Sequence, residues 1–270
     1  MKLADTTILL TGATGGIGRA LALALAGRGA HLILSGRDPE ALESLAAELR
    51  TGHSGIDTIA ADLSQPDGGL RLGRACLQRA VPDAVIHCAG VMQFGAFDTG
   101  DPAHLDRLWQ VNTLSAMRLT RQLLPAMRQR RSGRLIFIGS VFGSIAFPMY
   151  AAYSASKFAL RGFSEALRRE LHGSGVTVTY IAPRYTETAL NDGGPARAAE
   201  ALKLARDTPE AVALGIVATM ERDRGWRVFG FAERIFMKLN ALFPRLIDRA
   251  LRGQARQLHA IARPSAPANE

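Results

Sequence analysis

Residues 11–18 read TGATGGIG and link the short apolar run TTILLT to the helical pattern GRALALALAGRG. Gly12, Gly16 and Gly18 stand at the spacing GxxxGxG. Glycine lets backbone amides approach a phosphate closely, and the N-terminus of the following helix offers unpaired N–H groups and partial positive charge. Strand-to-helix turns also need glycine for conformational reasons, so the turn alone is weak support. At the start of a βαβ unit, this stretch predicts a dinucleotide-binding loop.

The remaining sequence alternates short apolar runs with longer helical patterns. After TTILLT the apolar runs are HLILS, IDTIAAD, AVIHCAG, RLIFIGS and VTVTYIAP, with WRVFGF as a candidate seventh. Helical patterns separate them, including a long one over about 101–131 and another over about 151–172. Runs that are apolar throughout are typical of parallel strands covered on both faces. The sequence therefore predicts an α/β fold, a Rossmann-like doubly wound parallel β-sheet of about seven strands with helices on both faces.

The length and composition fit one large domain. The chain has 270 residues and 47% apolar content, which is enough to bury a full core. No stretch approaches the roughly 20 apolar residues that span a bilayer, and the N-terminus runs into a strand pattern without a cleavable signal, so a cytoplasmic protein is expected. Cys76 and Cys88 lack CxxC spacing and the six histidines are scattered, which predicts free thiols and no metal site.

The net charge of +9 is concentrated near the C-terminus. Between Arg224 and Arg263, nine lysines and arginines stand against two acidic residues, Glu233 and Asp248. A basic segment can bind nucleic acid, but this sequence has no interleaving of basic and aromatic residues and no zinc-finger or helix-turn-helix spacing. Nucleic acid is therefore not an expected partner.

Residues 153–157 read YSASK, which places Tyr153 and Lys157 about one helical turn apart. Residues at i and i+4 share one face of a helix, so the two side chains can approach each other. A phenol ionises near about pH 10, and a neighbouring ammonium favours the phenolate and lowers that pKa. Such a tyrosine can transfer a proton. The alternative is a surface tyrosine beside a solvated lysine, although one of only four lysines in the chain falls here.

The end of the second predicted strand, LILSGRD, bears on which dinucleotide binds. In this fold that end faces the adenosine ribose, where an acidic residue accepts hydrogen bonds from a free 2′-hydroxyl. Here Gly36 is followed by Arg37, whose guanidinium suits a 2′-phosphate. We therefore expect NADP(H) rather than NAD(H). The alternative is that Arg37 is an ordinary loop arginine and that Asp38 makes the ribose contact.

Five motifs occur in the order TGATGGIG, HCAG, VNTLS, IGS and YSASK. With these motifs the chain resembles the short-chain dehydrogenase/reductase family over roughly residues 6–222. The resemblance implies that Tyr153 is the catalytic acid or base, and that Lys157 lowers its pKa and holds the nicotinamide ribose. It implies that Ser140 orients the substrate carbonyl and that Asn112 supports a water-mediated proton path. It also implies a homodimer or homotetramer.

The resemblance further implies a set of cofactor contacts. Asp62 and Leu63 follow the third strand and would contact adenine, and Ala89 and Gly90 would pack against the cofactor. The full expected set is Gly12, Thr14, Gly15, Gly16, Ile17, Gly18, Arg37, Asp62, Leu63, Ala89, Gly90, Tyr153, Lys157, Pro183, Thr186 and Thr188.

Two places depart from the family pattern. The usual asparagines before Ala-Gly are His87 and Cys88, which puts a structural hydrogen bond in doubt. The usual Pro-Gly after the sixth strand is Pro183-Arg184, and because arginine cannot adopt the φ of glycine freely, this loop is open to a different path. Arg184 is expected either to face solvent or to meet an anionic group of the substrate.

Four apolar residues flank the expected site and indicate an apolar substrate pocket, although core packing explains some of them equally well; they are Phe94, Phe142, Phe147 and Met149. The variable segment 185–206 is expected to be the substrate lid. We assign residues 1–223 to the catalytic domain, 224–263 to a basic amphipathic extension of the same domain, and the Pro- and Ala-rich 264–270 to a disordered tail.

The C-terminal extension has apolar residues at helical spacing, namely Ile235, Leu239, Leu242, Leu246 and Ala250. Pro244 interrupts them and can begin a second helix, and arginines fill the other face. A basic amphipathic segment can lie on an anionic membrane surface, so one expectation is contact with the inner face of a membrane through residues 232–262. The other is packing against the protein's own domain or a sister subunit.

Together these features favour an NADPH-dependent oxidoreductase that reversibly reduces an apolar or lipid-like ketone or aldehyde. Two alternatives belong to other classes, a non-catalytic NADP(H)-binding regulator or scaffold and a membrane-peripheral protein that acts through its basic tail. The intact set of Tyr153, Lys157, Ser140 and Asn112 argues against a regulator, since a protein that only binds cofactor does not need proton-transfer groups.

Overall fold

The computed structural model describes residues 2–52, 55–222 and 225–262, and the predicted tail at 264–270 lies outside them. Within these ranges the chain forms one parallel sheet in the order β3-β2-β1-β4-β5-β6-β7. The strands are β1 (Thr7–Thr11), β2 (His31–Gly36), β3 (Ile56–Ala60), β4 (Ala84–His87), β5 (Gly133–Ile138), β6 (Val176–Ala182) and β7 (Trp226–Val228). The predicted fold class and the candidate seventh strand are confirmed.

The helices that cover the sheet follow the predicted alternation. They are α1 (Gly16–Ala26), α2 (Pro39–Arg50), α3 (Gly68–Leu77), α4 (Pro102–Trp109), α5 (Ser115–Gln129), α6 (Ala151–Glu170), α7 (Gly194–Ala201), α8 (Pro209–Glu221), α9 (Phe231–Leu242) and α10 (Pro244–Ala262). The predicted long helix over 101–131 is α4 and α5, joined by a π-helical turn at Gln110–Leu114.

The continuous apolar strands are explained by burial on both sides of the sheet. On β1, the side chains of Ile8 and Leu10 pack with the helices of one face, while Leu9 packs with those of the other. Successive strand residues point to opposite faces, so a sheet covered on both sides buries every position.

Local signals place several helix ends where the sequence predicted them. The hydroxyl of Thr208 accepts a hydrogen bond from the Ala211 amide, and Pro209 is the first residue of α8. Pro244 begins α10. This last helix packs against α7, and it buries Ile247, Leu251 and Leu258. Among the described residues, no helix is both long enough and apolar enough to cross a bilayer.

The strand order reverses direction between β1 and β4, since β2 and β3 extend to one side of β1 and β4 to β7 extend to the other. Loops at the carboxyl ends of neighbouring parallel strands meet at one edge of the sheet, and ligands of doubly wound sheets bind at such a reversal. The glycine loop follows β1, Gly90 follows β4, Ser140 follows β5 and Pro183 follows β6. The fold therefore brings four of the predicted motifs to one edge.

Candidate active site

The glycine loop leaves no space for side chains at two of its positions. Gly12 has φ +67°, and a Cβ there would lie 2.8 Å from the Cα of Ala89. A Cβ on Gly18 would lie 2.0 Å from the carbonyl oxygen of Gly12. The N-cap of α1 is Gly15, which has no side chain to occupy the free amides of the first turn. The loop thus offers bare backbone N–H groups at a helix N-terminus, which fits a pyrophosphate.

The hydroxyl of Ser140 lies just beyond β5 and is hydrogen-bonded to the Tyr153 hydroxyl in the first turn of α6. The Ser140 hydroxyl also accepts a hydrogen bond of 3.1 Å from the Phe142 amide, which fixes its position. The ammonium of Lys157 donates to the carbonyl of Ile138 at 3.2 Å and lies 5.7 Å from the centroid of the Tyr153 ring. Tyr153 and Lys157 are both buried. The structure therefore brings Ser140, Tyr153 and Lys157 to one wall of a cavity.

The electrostatics of this pair differ from the sequence prediction. Burial raises the pKa of Tyr153 to about 12, although the hydrogen bond with Ser140 lowers it in part. Burial lowers the pKa of Lys157 to about 8, and the nearby Cys88 thiol opposes that change. The protein's own groups therefore do not shift the pKa of the phenol towards neutrality, because desolvation outweighs the hydrogen bond with Ser140. A phenol of this kind keeps its proton at neutral pH, and the protonated form is the one that can donate to a carbonyl oxygen.

The Asn112 side chain fastens the loop after β4 to helix α6. Its Oδ1 accepts a hydrogen bond of 2.8 Å from the Val91 amide, and its Nδ2 donates to the Val91 carbonyl and to the Ser156 hydroxyl, each at 3.0 Å. Asn112 is buried and lies in the π-helical turn between α4 and α5, a local distortion that often marks a functional site. These contacts make Asn112 a positioning residue, and its predicted part in a water-mediated proton path stays a prediction.

The nicotinamide end of the predicted cofactor site forms one surface. The same cavity wall that carries the catalytic side chains also includes Ile17, Gly90, Pro183, Thr186 and Thr188. Thr188 reaches across to the glycine loop, since a Cβ on Gly16 would lie 2.5 Å from its Cγ2. The predicted contacts from β1, β4 and β6 are therefore brought together.

The two residues that are predicted to contact adenine, Asp62 and Leu63, do not line this cavity. Leu63 and Ala89 line a separate small pocket beside Thr11. The Asp62 carboxylate accepts hydrogen bonds from the hydroxyl and the amide of Ser64, and these bonds lower its pKa. That carboxylate is engaged within its own turn, so its predicted adenine contact stays a prediction.

The structure at the end of β2 bears on whether Arg37 or Asp38 contacts the ribose of the cofactor. Asp38 is the N-cap of α2, and its Oδ1 accepts hydrogen bonds from the amides of Glu40 and Ala41 at 3.0 and 3.1 Å. Arg37 is exposed, and its guanidinium makes no hydrogen bond or ion pair with any residue that the structure describes. A Cβ on Gly36 would lie 3.3 Å from the Thr14 hydroxyl, which places Thr14 of the glycine loop beside this strand end.

The two departures before Gly90 are accommodated by other hydrogen bonds. His87 is buried, its Nε2 lies 3.1 Å from the Thr120 hydroxyl, and its ring stacks on Phe137 with centroids 4.6 Å apart. The amides of Cys88 and Ala89 donate to the Thr11 hydroxyl at 3.1 and 3.2 Å. Cys76 and Cys88 are free thiols, as predicted.

Arg184 does not face solvent freely, so that expectation was wrong, whereas contact with an anionic substrate group stays a prediction because Arg184 also lines the cavity. Its guanidinium forms a two-pronged ion pair with Asp207, at 2.9 and 2.7 Å, and lies 3.7 Å from a carboxylate oxygen of Glu233. Asp207 also forms a parallel β-bridge with Thr186, which joins the two ends of the segment 185–206. Asp207 and Glu233 were missed because neither lies in a recognisable motif. The one sequence signal for this ion pair was Arg184 itself, at a position where the family has glycine.

The cavity beside the catalytic side chains has a volume of about 380 Å³. Its walls are mainly apolar, and Phe142 and Phe147 line it as predicted. Phe94 and Met149 do not line it but belong to the hydrophobic cluster around Tyr150, so core packing, the alternative explanation, accounts for these two. The C-terminal helices contribute residues that the sequence did not indicate, namely Ala232, Glu233 and Phe236 from α9 and Gln254 from α10.

Comparison with known proteins decides the family. A family model described as short chain dehydrogenase matches residues 6–198. The chain belongs to the short-chain dehydrogenase/reductase family. Dehydrogenase/reductase SDR family member 7B from Bos taurus is 32% identical over 267 residues, which cover 94% of this chain and 82% of that protein.

Two solved structures extend the comparison of this short-chain dehydrogenase/reductase. A short-chain dehydrogenase from Sphingobium yanoikuyae in complex with NADPH is 26% identical with a TM-score of 0.77, and the match covers 98% of this chain and 99% of that one. A short chain dehydrogenase/reductase from Burkholderia phymatum in complex with NAD has a TM-score of 0.83 over 91% and 96% of the two chains, and at 20% identity it shows the fold alone. The protein is therefore an NAD(P)-dependent oxidoreductase with a small-molecule substrate.

Proposed function

We propose that this short-chain dehydrogenase/reductase uses NADPH to reduce an apolar or lipid-like ketone or aldehyde to an alcohol, reversibly. The observation that supports the proposal is one cavity with two kinds of wall. Ser140, Tyr153 and Lys157 lie at one side, while Phe142, Phe147 and other apolar side chains form much of the rest. Apolar walls with a few converging polar groups are typical of sites that orient a small molecule.

The catalytic side chains have separate tasks in this proposal. The nicotinamide, when bound, supplies or takes up hydride. The hydroxyls of Ser140 and Tyr153 hold the carbonyl oxygen, and Tyr153 donates its proton as negative charge develops there. Lys157 provides a positive charge near the Tyr153 phenol, and its ammonium donates a hydrogen bond to the Ile138 carbonyl. Asn112 fixes the loop that carries Gly90.

The preference for NADPH is supported by the end of β2. The Oδ1 atom of Asp38 caps α2 by accepting hydrogen bonds from two backbone amides, so part of this carboxylate is already engaged within the protein. Arg37 is exposed beside it, and a guanidinium binds phosphate through paired hydrogen bonds. The Sphingobium yanoikuyae neighbour was solved with NADPH, which agrees with this assignment.

The proposal also covers assembly and location. We place the protein in the cytoplasm as a homodimer or homotetramer, at the inner face of a membrane. An apolar groove between α5 and α6, lined by Leu124, Phe163 and Leu167 and by Leu114 of the preceding π-helical turn, supports pairing with a second copy. Sedimentation velocity of the full chain would contradict this assembly if it gave only a monomer at all concentrations.

The test of the catalytic proposal is oxidation of NADPH and NADH against a panel of small, aromatic, steroid-like and long-chain carbonyls. Tyr153→Phe is expected to retain NADPH binding and to lower kcat by about 10²–10⁴-fold, since it removes only the proton donor. Tyr150→Phe is the matched control, because Tyr150 lines the same cavity without a proposed chemical role. Unchanged turnover in Tyr153→Phe would refute the role of Tyr153, and tight NADPH binding without turnover of any carbonyl would favour a regulator.

A further inference from the structure

Helix α9 exposes an apolar stripe to solvent. Phe231, Ile235, Leu239 and Leu242 recur at helical spacing, and their exposed fractions are 71%, 44%, 37% and 70%. An adjacent face of the helix carries the half-buried Phe236, which lines the substrate cavity. The helix is therefore apolar on both of these faces, and packing against its own domain explains only one of them.

The stripe continues through Phe243, which lies between α9 and α10 and is 57% exposed, to Leu246 on α10, which is 58% exposed. We call the surface formed by Phe231, Ile235, Leu239, Leu242, Phe243 and Leu246 the elbow patch. It holds six of the twelve large hydrophobic side chains that are exposed in the described part of the chain. Exposed apolar side chains concentrated in this way mark an interaction surface, whereas scattered ones need no explanation.

Basic side chains border the elbow patch. Arg234 and Lys238 are exposed on α9, and the Arg234 guanidinium lies 5.4 Å from the centroid of the Phe231 ring. On α10, a row of exposed arginines lies opposite the buried face; it comprises Arg245, Arg249, Arg252 and Arg256. On the acidic side, Glu233 is turned inward towards Arg184, and Asp248 is exposed on α10. The border is thus strongly positive.

We infer that the elbow patch docks the protein on an anionic lipid surface. Apolar side chains enter the interface while flanking arginines and lysines bind lipid phosphates, which is how basic amphipathic helices attach to membranes. A second copy would fit less well, because a symmetric contact would bring these basic borders against each other. An anionic surface neutralises the same charges.

Docking at this surface has a consequence that rests on the proposed function. Helix α9 lines the cavity through Ala232 and Phe236 and carries the elbow patch on the adjacent face. Attachment through α9 therefore holds the cavity within one helix diameter, about 10 Å, of the lipid surface. A lipid-like carbonyl can then reach Tyr153 from the membrane rather than through bulk water.

The test is co-sedimentation of the full chain with vesicles of phosphatidylcholine, with and without phosphatidylglycerol, at low and high salt. The wild-type protein is expected to bind the anionic vesicles and to lose most of that binding at high salt. Leu242→Gln with Leu246→Gln is expected to weaken binding at least about tenfold, and Arg245→Gln with Arg249→Gln is expected to weaken it at low salt.

Matched controls separate the patch from general surface properties. Leu214→Gln removes an exposed leucine from α8, and Arg71→Gln with Arg74→Gln removes two charges from α3, so neither change is expected to affect binding. No binding by the wild type in low salt would overturn the inference, as would equal losses in the controls. A lower oligomeric state of the elbow variants in light scattering, with vesicle binding unchanged, would assign the patch to a second copy instead.

Failure of the docking inference is distinguishable from failure of the proposed function. Turnover of a water-soluble ketone by the elbow variants is expected to match the wild type, since Leu242 and Leu246 lie outside the cavity wall. Vesicle binding without any carbonyl turnover would leave the docking surface standing and remove only the proposed route of the substrate.

Discussion

The buried His87 should make the folded protein sensitive to acid in a way that one substitution removes. Burial lowers the pKa of His87 from 6.5 to about 3. Its ring lies between Phe137 and the Thr120 hydroxyl, inside the sheet and away from water. Once the chain unfolds, the imidazole regains its ordinary pKa and takes up a proton more readily than in the folded state.

The direction and size of the effect follow from this difference. The contribution of His87 to stability is fully present above pH 6.5 and is lost as the pH falls towards about 3. The difference between the pKa in the folded and in the unfolded chain corresponds to about 5 kcal/mol over the whole range, of which about 3 kcal/mol is lost by about pH 4.5. That loss is a large part of the stability of an ordinary domain.

The assay is urea unfolding of wild type and His87→Asn at several values between about pH 7.5 and about pH 4.5. Asparagine cannot stack on Phe137, so the variant is expected to be less stable throughout, but that offset is independent of pH. The free energy of unfolding should fall by about 3 kcal/mol less in His87→Asn than in the wild type over this range. Carboxylates contribute equally to both proteins and cancel. Parallel curves, or a His87 ring signal in NMR that titrates near pH 6.5 in the folded protein, would refute the reasoning.

Three further predictions concern the site. Arg37→Ala should raise the Kd for NADPH by at least about tenfold and leave the Kd for NADH nearly unchanged, as measured by fluorescence titration; equal losses for both cofactors would contradict a 2′-phosphate contact. Gly18→Ala should weaken both cofactors in the same titration, because its Cβ would lie 2.0 Å from the Gly12 carbonyl oxygen, and unchanged binding would show that the loop can yield. Asp207→Asn removes the charge paired with Arg184 and should speed trypsin cleavage within residues 185–206, whereas Asp192→Asn, in the same segment but outside that pair, should not; equal cleavage rates in both variants would contradict the ion pair as the closure of this segment.

Local sequence determined the fold and the outline of the site. The glycine loop, the apolar strands, the cap at Thr208 and the pairing of Tyr153 with Lys157 all depend on residues within about one or two turns of each other. Conformational preference and periodicity act over that range, so these features can be predicted from the amino-acid order alone. The end of β2 carried the NADPH expectation in the same way, through the neighbours Gly36 and Arg37.

The tertiary structure decided everything that depends on burial or on distant partners. The pKa of Tyr153 is raised rather than lowered because the whole fold removes water from it, and no neighbour in sequence reports that. Arg184 binds Asp207, 23 residues away, and α9 and α10 complete the cavity wall, although no motif connects them to it. Long-range packing sets these contacts. The same packing places one face of α9 against the domain and leaves the elbow patch exposed.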